Sequence, residues 1–495
     1  MQLSDVIRIR EELLDYAAGV DKTETGAYTP VYLDDTEITL AAYRGPGTDG
    51  FALYKAAGFN TLIADGADDS VSFSSEGEHI MGAGSGAWTN VKSYMDAAKD
   101  TGLNVYMASE ALNAYLKNVQ ATKMDQSASF TVTDDLMQQD LTQMLVGTGT
   151  THAGIGLADY DNFKGIMFAD ELDYTSLSYY TTAAQFMKSI NPDLETFGSF
   201  ESYGSDIGTD DYELFATAFA GASTQKSFTY DYYPYYGGVE KEWLGFGNGG
   251  YTYNYDEKFA SWQTDWLSKL ERVAGYGKKG DFDTGITLQS SSWKNTADKV
   301  IFANPDTKAE IGYQVYTALA YGMKSINYFL YCEPKTAIKG EEYVGALVMR
   351  NDDGTTSTTA TYDSAKEVNT EIKKFDHVFL DYDWVSTIKL GSSTQLTGLA
   401  GGSSDRISNS SVSAGSAIIG CMYDSEKALD GFWIVNATAP TDNTTSTVNV
   451  TFNNATRAMV YNPAAGDYGK LVSLTAGAYT ATLASGAGQF IIPLP

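Results

Sequence analysis

The chain has 495 residues, of which 43% are hydrophobic and 19% are charged, and its net charge is −30. A chain of this length exceeds one ordinary hydrophobic core and predicts two or three domains. The negative charge excludes nucleic acid as a partner, because phosphate binding depends on clustered Lys and Arg. No apolar run approaches the roughly 18 to 20 residues that span a bilayer, so no transmembrane segment is expected.

Residues 1–20 have the pattern of a charged amphipathic helix. They lack the basic start and the apolar centre of a signal peptide. A cytoplasmic protein and an exported protein whose signal has been removed both fit this start, and we favour a secreted or cell-surface protein.

Residues 37–375 alternate short apolar runs with longer segments of helical periodicity. The eight predicted strands are residues 37–46, 60–66, 104–109, 163–171, 194–202, 226–234, 283–293 and 324–334. Continuous apolar strands that alternate with helices predict a parallel sheet covered on both faces, and eight such units predict closure into a (β/α)8 TIM barrel. An open doubly wound sheet is the alternative, but YRGPGTDG after the first strand does not match its Gly-rich phosphate loop.

From about Trp384 the helical periodicity stops, and Ser, Thr, Gly and Asn dominate. Short alternating strands follow, among them SAIIGCMY, GFWIVNA, STVNVTF, RAMVYN and QFIIPLP. Turn residues separate them, which predicts a small all-β sandwich. We therefore divide the chain into a barrel domain at 1–383, with a helical extension at 1–36, and a C-terminal sandwich domain at 384–495.

The cysteines and histidines offer little chemistry. Cys332 and Cys421 fall in different predicted domains, and free, mostly buried thiols are favoured over a disulfide. The three histidines match no metal-binding motif, so neither a metal nor an organic cofactor is expected.

Reactive groups of a (β/α)8 barrel lie at the carboxyl ends of its strands. The polar residues at or just beyond the eight predicted ends are Arg44, Asp65, Glu110, Asp170, Glu171, Glu201, Asp231, Gln289 and Glu333. Several carboxylates around one mouth are typical of glycoside hydrolysis, in which one acid protonates the leaving oxygen and another attacks or activates water.

The adjacent acids that end strand four, in FADEL, are the strongest candidates. We assign Glu171 as general acid/base and Asp170 as a neighbour that orients it or binds sugar. In the alternative interpretation Asp170 caps the next helix or pairs with Arg44, and Glu171 is a solvated surface charge.

Strand six ends in TYDYYPYY, where Asp231 lies among tyrosines that suit stacking on sugar rings. Asp231 is the first candidate for the second catalytic carboxylate, with Glu333 and Glu201 as alternatives. An aromatic loop packed on the barrel rim is the competing interpretation for the tyrosines. The residues assigned to substrate binding are Arg44, Asp65, Asp170, Glu201, Tyr230, Tyr233, Tyr235, Gln289 and Trp293.

The stretches AGFNTLIADG, AAKDTGLNVYMAS, KGIMFADEL, TYDYYPYY and IGYQVYTALAYGMKSINYFLYCEP together resemble the barrel of bacterial glycoside hydrolases related to the family 42 β-galactosidases. The resemblance covers residues 37–375 and implies that Glu171 is the acid/base of a retaining enzyme. Asp170 replaces the family's Asn, and Gln289 stands where the nucleophilic Glu would end strand seven. An amide cannot attack the anomeric carbon as a carboxylate does.

Three interpretations of Gln289 follow, in order of preference. The partner is Asp231, Glu333 or Glu201; the mechanism is inverting; or the barrel has lost catalysis and only binds glycans. We therefore predict a glycosidase with a carbohydrate substrate, with a glycan-binding barrel as the alternative. An aldolase would require a Lys at a strand end, and the predicted ends have none.

Overall fold

The computed structural model describes residues 37–64, 85–108, 112, 115–116, 133–147, 156–172, 176–200, 210–222, 227–235, 255–295, 300–333, 341–351 and 355–495. The predicted N-terminal helix lies outside these ranges, as do Asp65, Glu110 and Glu201.

Eight parallel strands close into a barrel. The first ten strands along the chain are β1 (Thr39–Ala42), β2 (Thr61–Ala64), β3 (Asn104–Ala108), β4 (Phe163–Leu172), β5 (Glu195–Phe200), β6 (Ser227–Asp231), β7 (Asp283–Gln289), β8 (Ser292–Asn295), β9 (Val300–Phe302) and β10 (Met323–Phe329). Strands β1 to β7 pair in sequence order, and β10 lies between β7 and β1 to close the barrel. The predicted (β/α)8 architecture is confirmed.

Helices follow the barrel strands as the periodicity predicts. They are α1 (Phe51–Ala56), α2 (Ser85–Thr101), α3 (Asp134–Val146), α4 (Leu177–Ile190), α5 (Asp210–Ala222), α6 (Tyr255–Gly280), α7 (Lys308–Ala320), α8 (Ala360–Ile372) and α9 (Asp376–Phe379). Helix α7 begins at a capping box in which the Thr307 hydroxyl and the Glu310 carboxylate satisfy each other's backbone amides. Of the helices that the structure describes, none is long and apolar enough to cross a membrane.

Two small antiparallel sheets that the sequence did not predict are built from segments inserted after β7 and β10. They add strands β11 (Glu341–Val344), β12 (Val348–Arg350) and β13 (Thr356–Thr358). One sheet has the order β11-β8-β9, and the other pairs β12 with β13. The first sheet therefore joins the two loops that leave neighbouring barrel strands at the catalytic end expected for this fold.

The C-terminal region forms two antiparallel sheets. Its strands are β14 (Asp383–Leu390), β15 (Ile407–Val412), β16 (Ala417–Asp424), β17 (Leu429–Asn436), β18 (Ser446–Phe452), β19 (Arg457–Asn462), β20 (Asp467–Ser473), β21 (Ala478–Leu483) and β22 (Gly488–Leu494). One sheet has the order β14-β16-β17-β22-β19-β20 and the other β15-β18-β21. Their inward residues, such as Val448, Val450 and Phe432, share one apolar core, as in a β-sandwich.

The sandwich packs against helix α7 of the barrel. Trp433 on β17 is fully buried and lies 5.9 Å from Tyr316 on α7, measured between ring centroids. At Gly420, an added Cβ would lie 2.0 Å from the carbonyl oxygen of Ala320, so the two backbones are in close contact. Every residue from Ile311 to Ala320 is buried, because barrel and sandwich cover opposite sides of the helix.

The two cysteines are free, as predicted. Cys421 is buried inside the sandwich and Cys332 is half-buried just beyond β10. Burial raises the pKa of the Cys421 thiol to about 11, so it stays protonated at neutral pH.

Candidate active site

One side of the barrel interior is apolar and aromatic. Side chains from β1 to β5 meet there in a cluster separate from the core that packs against the helices: Ala41, Tyr43, Ile63, Tyr106, Met167 and Phe197. Tyr106 also donates a hydrogen bond to Glu195 at the amino end of β5. This side of the interior is a packed plug, as in other barrels whose lumen is filled by side chains.

The opposite side of the interior is lined by hydroxyl and amide groups. The Ser199 hydroxyl on β5 donates to the Thr287 hydroxyl on β7 at 3.1 Å. Because β6 lies between these two strands, the hydrogen bond crosses the inner face of β6, and both side chains point into the barrel. Asn327 on β10 is fully buried and donates to the Ser325 hydroxyl at 3.2 Å. A polar sector therefore runs through β5, β6, β7 and β10 towards the mouth.

Asp231 ends this polar sector at the mouth. It is the last residue of β6, only 9% exposed, and aligned in register with Thr287 on β7. Burial, followed by the charge of Asp231, raises the pKa of the adjacent Tyr230 well above its ordinary value, so that phenol stays protonated. The structure thus places a buried carboxylate where the sequence predicted the second acid.

Phe329 is the centre of an aromatic group at the mouth. Its ring centroid lies 6.0 Å from that of Tyr43, 5.9 Å from Tyr233 and 5.7 Å from Tyr343. Phe329, Tyr233 and Tyr343 are partly exposed, whereas Tyr43 is buried. Tyr233 was predicted to bind substrate; Phe329 and Tyr343 were missed, although both stand near the predicted strand-eight end in an aromatic-rich segment.

The side-chain amide of Gln289 is hydrogen-bonded to backbone groups. Its side-chain oxygen accepts from the Tyr235 amide at 3.0 Å, and its side-chain nitrogen donates to the carbonyls of Ala303 at 2.5 Å and Ser291 at 3.2 Å. The backbone amide of Gln289 donates to the side-chain oxygen of Gln314 on α7 at 2.9 Å, and the side-chain nitrogen of Gln314 donates to the backbone carbonyl of Gln289 at 3.0 Å. The last residue of β7 is thus a buried cross-link between the inserted loops and α7.

Glu333 also contacts a loop. Its carboxylate accepts a hydrogen bond from the Gly345 amide at 2.6 Å, and its own amide donates to the Val348 carbonyl at 3.2 Å. The residue is half-buried.

Two predicted ligand-binding tyrosines lie in the core instead. Tyr230 is fully buried among residues that pack towards the helices. Tyr235 is 1% exposed, and its hydroxyl donates to the Glu310 carbonyl at the start of α7 at 2.7 Å. We do not retain either one as a ligand contact. Arg44 follows β1 in a left-handed conformation, with φ of 55°, and is half-buried.

The backbone of β4 carries Asp170 and Glu171 to the same end of the barrel. The register of β4 against β5 shifts twice, between Met167 and Asp170 and again between Asp170 and Leu172. Such irregularities commonly re-aim side chains next to active sites. The side chains of Asp170 and Glu171 lie outside the described part of the chain, as does that of Trp293, whose backbone belongs to β8.

No protein-family model and no curated protein matches the sequence. Among solved structures, the chain is similar to a family 39 glycoside hydrolase from Bacteroides cellulosilyticus, with 11% identity over 94% of this chain and 83% of that one and a TM-score of 0.45. It is also similar to a family 42 β-galactosidase mutant from G. stearothermophilus, with 9% identity over 94% and 100% of the two chains and a TM-score of 0.46. A family 30 endoxylanase from Clostridium papyrosolvens gives 11% identity, 93% and 97% coverage and a TM-score of 0.43. Likeness at this level does not identify an activity, which has to be argued from the site.

Proposed function

We propose that the chain is a glycoside hydrolase in which Glu171 is the general acid/base and Asp231 is the second carboxylate. The observation that carries the proposal is the buried carboxylate of Asp231 at the mouth, next to a hydroxyl-lined interior and two residues before Tyr233 of the aromatic group. In this proposal residues 1–383 perform catalysis, and residues 384–495 support the barrel.

The strand order supports this pairing. β4 and β6 flank β5, so the backbones that carry Glu171 and Asp231 run about 10 Å apart, two interstrand spacings of about 4.8 Å. Inward side chains from those positions would bring two carboxyl groups within the roughly 5 to 9.5 Å that glycosidases use. Glu171 would protonate the glycosidic oxygen, while Asp231 attacks the anomeric carbon or removes a proton from the attacking water.

The rest of the mouth suits a neutral sugar. Partly exposed Tyr233, Phe329 and Tyr343 offer apolar ring faces, which suit the C–H faces of a pyranose. Asp231 and the hydroxyls behind it supply acceptors and donors for sugar hydroxyls. The net charge of −30 suits a neutral substrate.

The test is turnover on a panel of aryl glycosides and oligosaccharides by wild type, Glu171→Gln and Asp231→Asn, with Asp193→Asn on the exposed turn after α4 as a matched control. Each active-site change is expected to lower kcat by about 10² to 10⁴, the usual contribution of acid–base groups. The control should match wild type. Undiminished turnover in Glu171→Gln would remove Glu171 from the mechanism.

Glycan binding without hydrolysis is the second candidate, because Gln289 places an amide where retaining enzymes of the resembled family have their nucleophile. Wild type that turns over no glycoside in the panel but binds an oligosaccharide in calorimetry would favour this candidate.

A further inference from the structure

The loops that follow β7 and β10 pair through β8 (Ser292–Asn295) and β11 (Glu341–Val344) and form one wall of the mouth, which continues to Val348. Strand β11 pairs with β8, so that Tyr343 is in register with Trp293. The Leu347 and Val348 amides donate to the carbonyls of Leu330 and Tyr331, at 3.4 and 2.7 Å. The wall is therefore fixed to the chain as it leaves β10.

The Glu333 side chain binds the backbone amide at the corner of this wall, while the Thr361 and Thr359 hydroxyls donate to the carbonyls of Gly345 and Ala346 at 3.4 and 2.7 Å. Gly345 directly follows β11, and its amide donates to the Glu333 carboxylate at 2.6 Å. The backbone there has φ of +67°, and an added Cβ would lie 2.7 Å from the Asn304 amide nitrogen. Only glycine fits this corner without strain, and its amide points at Glu333.

The corner lies two residues after Tyr343, where β11 ends, and therefore contributes to the position of this ring together with the pairing of β11 and β8. The Tyr343 ring lies 5.7 Å from that of Phe329, on the partly exposed side of the aromatic group. A shift of the corner would move this ring relative to Phe329 and change the width of the mouth. Asp231 would keep its place, because it ends β6, which lies on the other side of β7 from β10.

We propose that Glu333 is a positioning residue for substrate binding, which holds Tyr343 against Phe329 through the Gly345 amide, and that it is not the second catalytic carboxylate. This inference rests on the proposed function. An amide oxygen accepts the same hydrogen bond as a carboxylate oxygen, so the role survives replacement of Glu333 by Gln but not by Ala.

The experiment compares kcat and KM of wild type, Glu333→Gln, Glu333→Ala and Gly345→Ala on a substrate that wild type hydrolyses. Glu333→Gln is expected to stay within about threefold of wild type in both constants. Glu333→Ala and Gly345→Ala are expected to raise KM about tenfold or more, as for a lost hydrogen bond to a charged group, with a smaller change in kcat. Glu333→Ala removes the acceptor, and Gly345→Ala strains the corner and displaces the donor amide, so the double variant should lose no more than the more impaired single variant. Glu367→Gln, an exposed acid on α8, is the control.

Hydrogen exchange of peptides that cover residues 341–350 supplies a readout that needs no turnover. Exchange should accelerate in Glu333→Ala and stay as in wild type in Glu333→Gln. This arm separates failure of the inference from failure of the proposed function: an inactive wild type overturns the latter, whereas unchanged exchange in Glu333→Ala overturns the former.

A loss of about 10² or more in kcat for both Glu333→Gln and Glu333→Ala, with recovery of turnover by added azide, would make Glu333 the second carboxylate and also overturn the inference.

Discussion

Replacement of Trp433 by Ala should destabilise barrel and sandwich together. The Trp433 ring is fully buried between the domains, with centroids 5.2 Å from Phe375, 5.6 Å from Phe379 and 5.4 Å from Phe490. A buried aromatic of this size removes about 150 to 250 Å² from water, which corresponds to about 4 to 6 kcal/mol at about 25 cal/mol per Å². Large aromatic-to-Ala changes in cores cost about 3 to 5 kcal/mol, so we expect a loss of about 4 kcal/mol.

The measurement is equilibrium unfolding in urea, followed by far-ultraviolet circular dichroism, which is dominated by the barrel helices, and by tryptophan fluorescence. Both probes should shift by the same free energy, because α7 and Trp433 belong to one hydrophobic core that joins the barrel helices to one face of the larger sandwich sheet. Trp433→Phe should cost less than Trp433→Ala, since it keeps most of the ring contacts. Leu214→Ala on α5, where the side chain is 68% exposed, should change stability by less than about 0.5 kcal/mol.

Two results would refute this reasoning. One is a loss below about 1.5 kcal/mol in Trp433→Ala, which would mean that the ring is not packed as described. The other is a split into two transitions in which the helical signal unfolds as in wild type, which would mean that the barrel does not depend on this contact.

Three further predictions concern the same scaffold. Lys427→Met should cost about 2 to 3 kcal/mol at pH 7, because it leaves buried Asp424 and partly buried Asp381, at 2.7 and 2.6 Å from the ammonium, without their cation. Burial raises the pKa of the Asp381 carboxyl, so the loss in Lys427→Met should shrink as pH falls through that raised pKa. In wild type, burial lowers the pKa of Lys427, but its hydrogen bonds to Asp381 and Asp424 outweigh burial and raise it. The stability contributed by this cation is therefore fully present below the ordinary Lys pKa of 10.5 and is lost as pH rises through the raised pKa, which pH-dependent thermal melting measures. Gly420→Ala should destabilise by about 3 kcal/mol or more in urea unfolding, since its Cβ would overlap the Ala320 carbonyl, whereas Gly221→Ala on α5, where nothing lies within 4 Å, should stabilise by about 0.5 to 1 kcal/mol. Gln314→Leu should lower the free energy of unfolding in urea by about 2 kcal/mol or more, because it removes the partner of the buried backbone amide and carbonyl of Gln289. A change below about 0.5 kcal/mol would contradict this.

The barrel could be predicted because its strands are buried on both faces. The apolar run GIMFA lies in the strand Phe163–Leu172, which ends one residue beyond its predicted end, whereas Asp283–Gln289 begins where predicted and ends four residues before the predicted end at 293. Strands β8 and β11 were missed because they are short and polar, and each is stabilised by a partner far along the chain. Strand Asp383–Leu390 was missed because its first four residues alternate between exposed and half-buried, and only Thr387 and Leu390 are buried.

The site was predictable only where the strand itself determines the direction of the side chain. Asp231 ends β6 as expected, and strict alternation along a strand already places Tyr230 on the opposite face. The roles of Tyr235 and Glu333 depend on partners at Glu310 and Gly345, which only the folded chain brings near. No local sequence pattern contains that information.

Helix α7 also limits how this barrel could be used as a scaffold. Its outer residues Tyr316 and Ala320 pack against the sandwich, here called the companion domain, while Gln314 is hydrogen-bonded to Gln289 at the end of β7. A shortened barrel would expose that outer face to water and invite self-association. Anyone grafting a new specificity onto these loops should keep the companion domain or first redesign the surface that it covers.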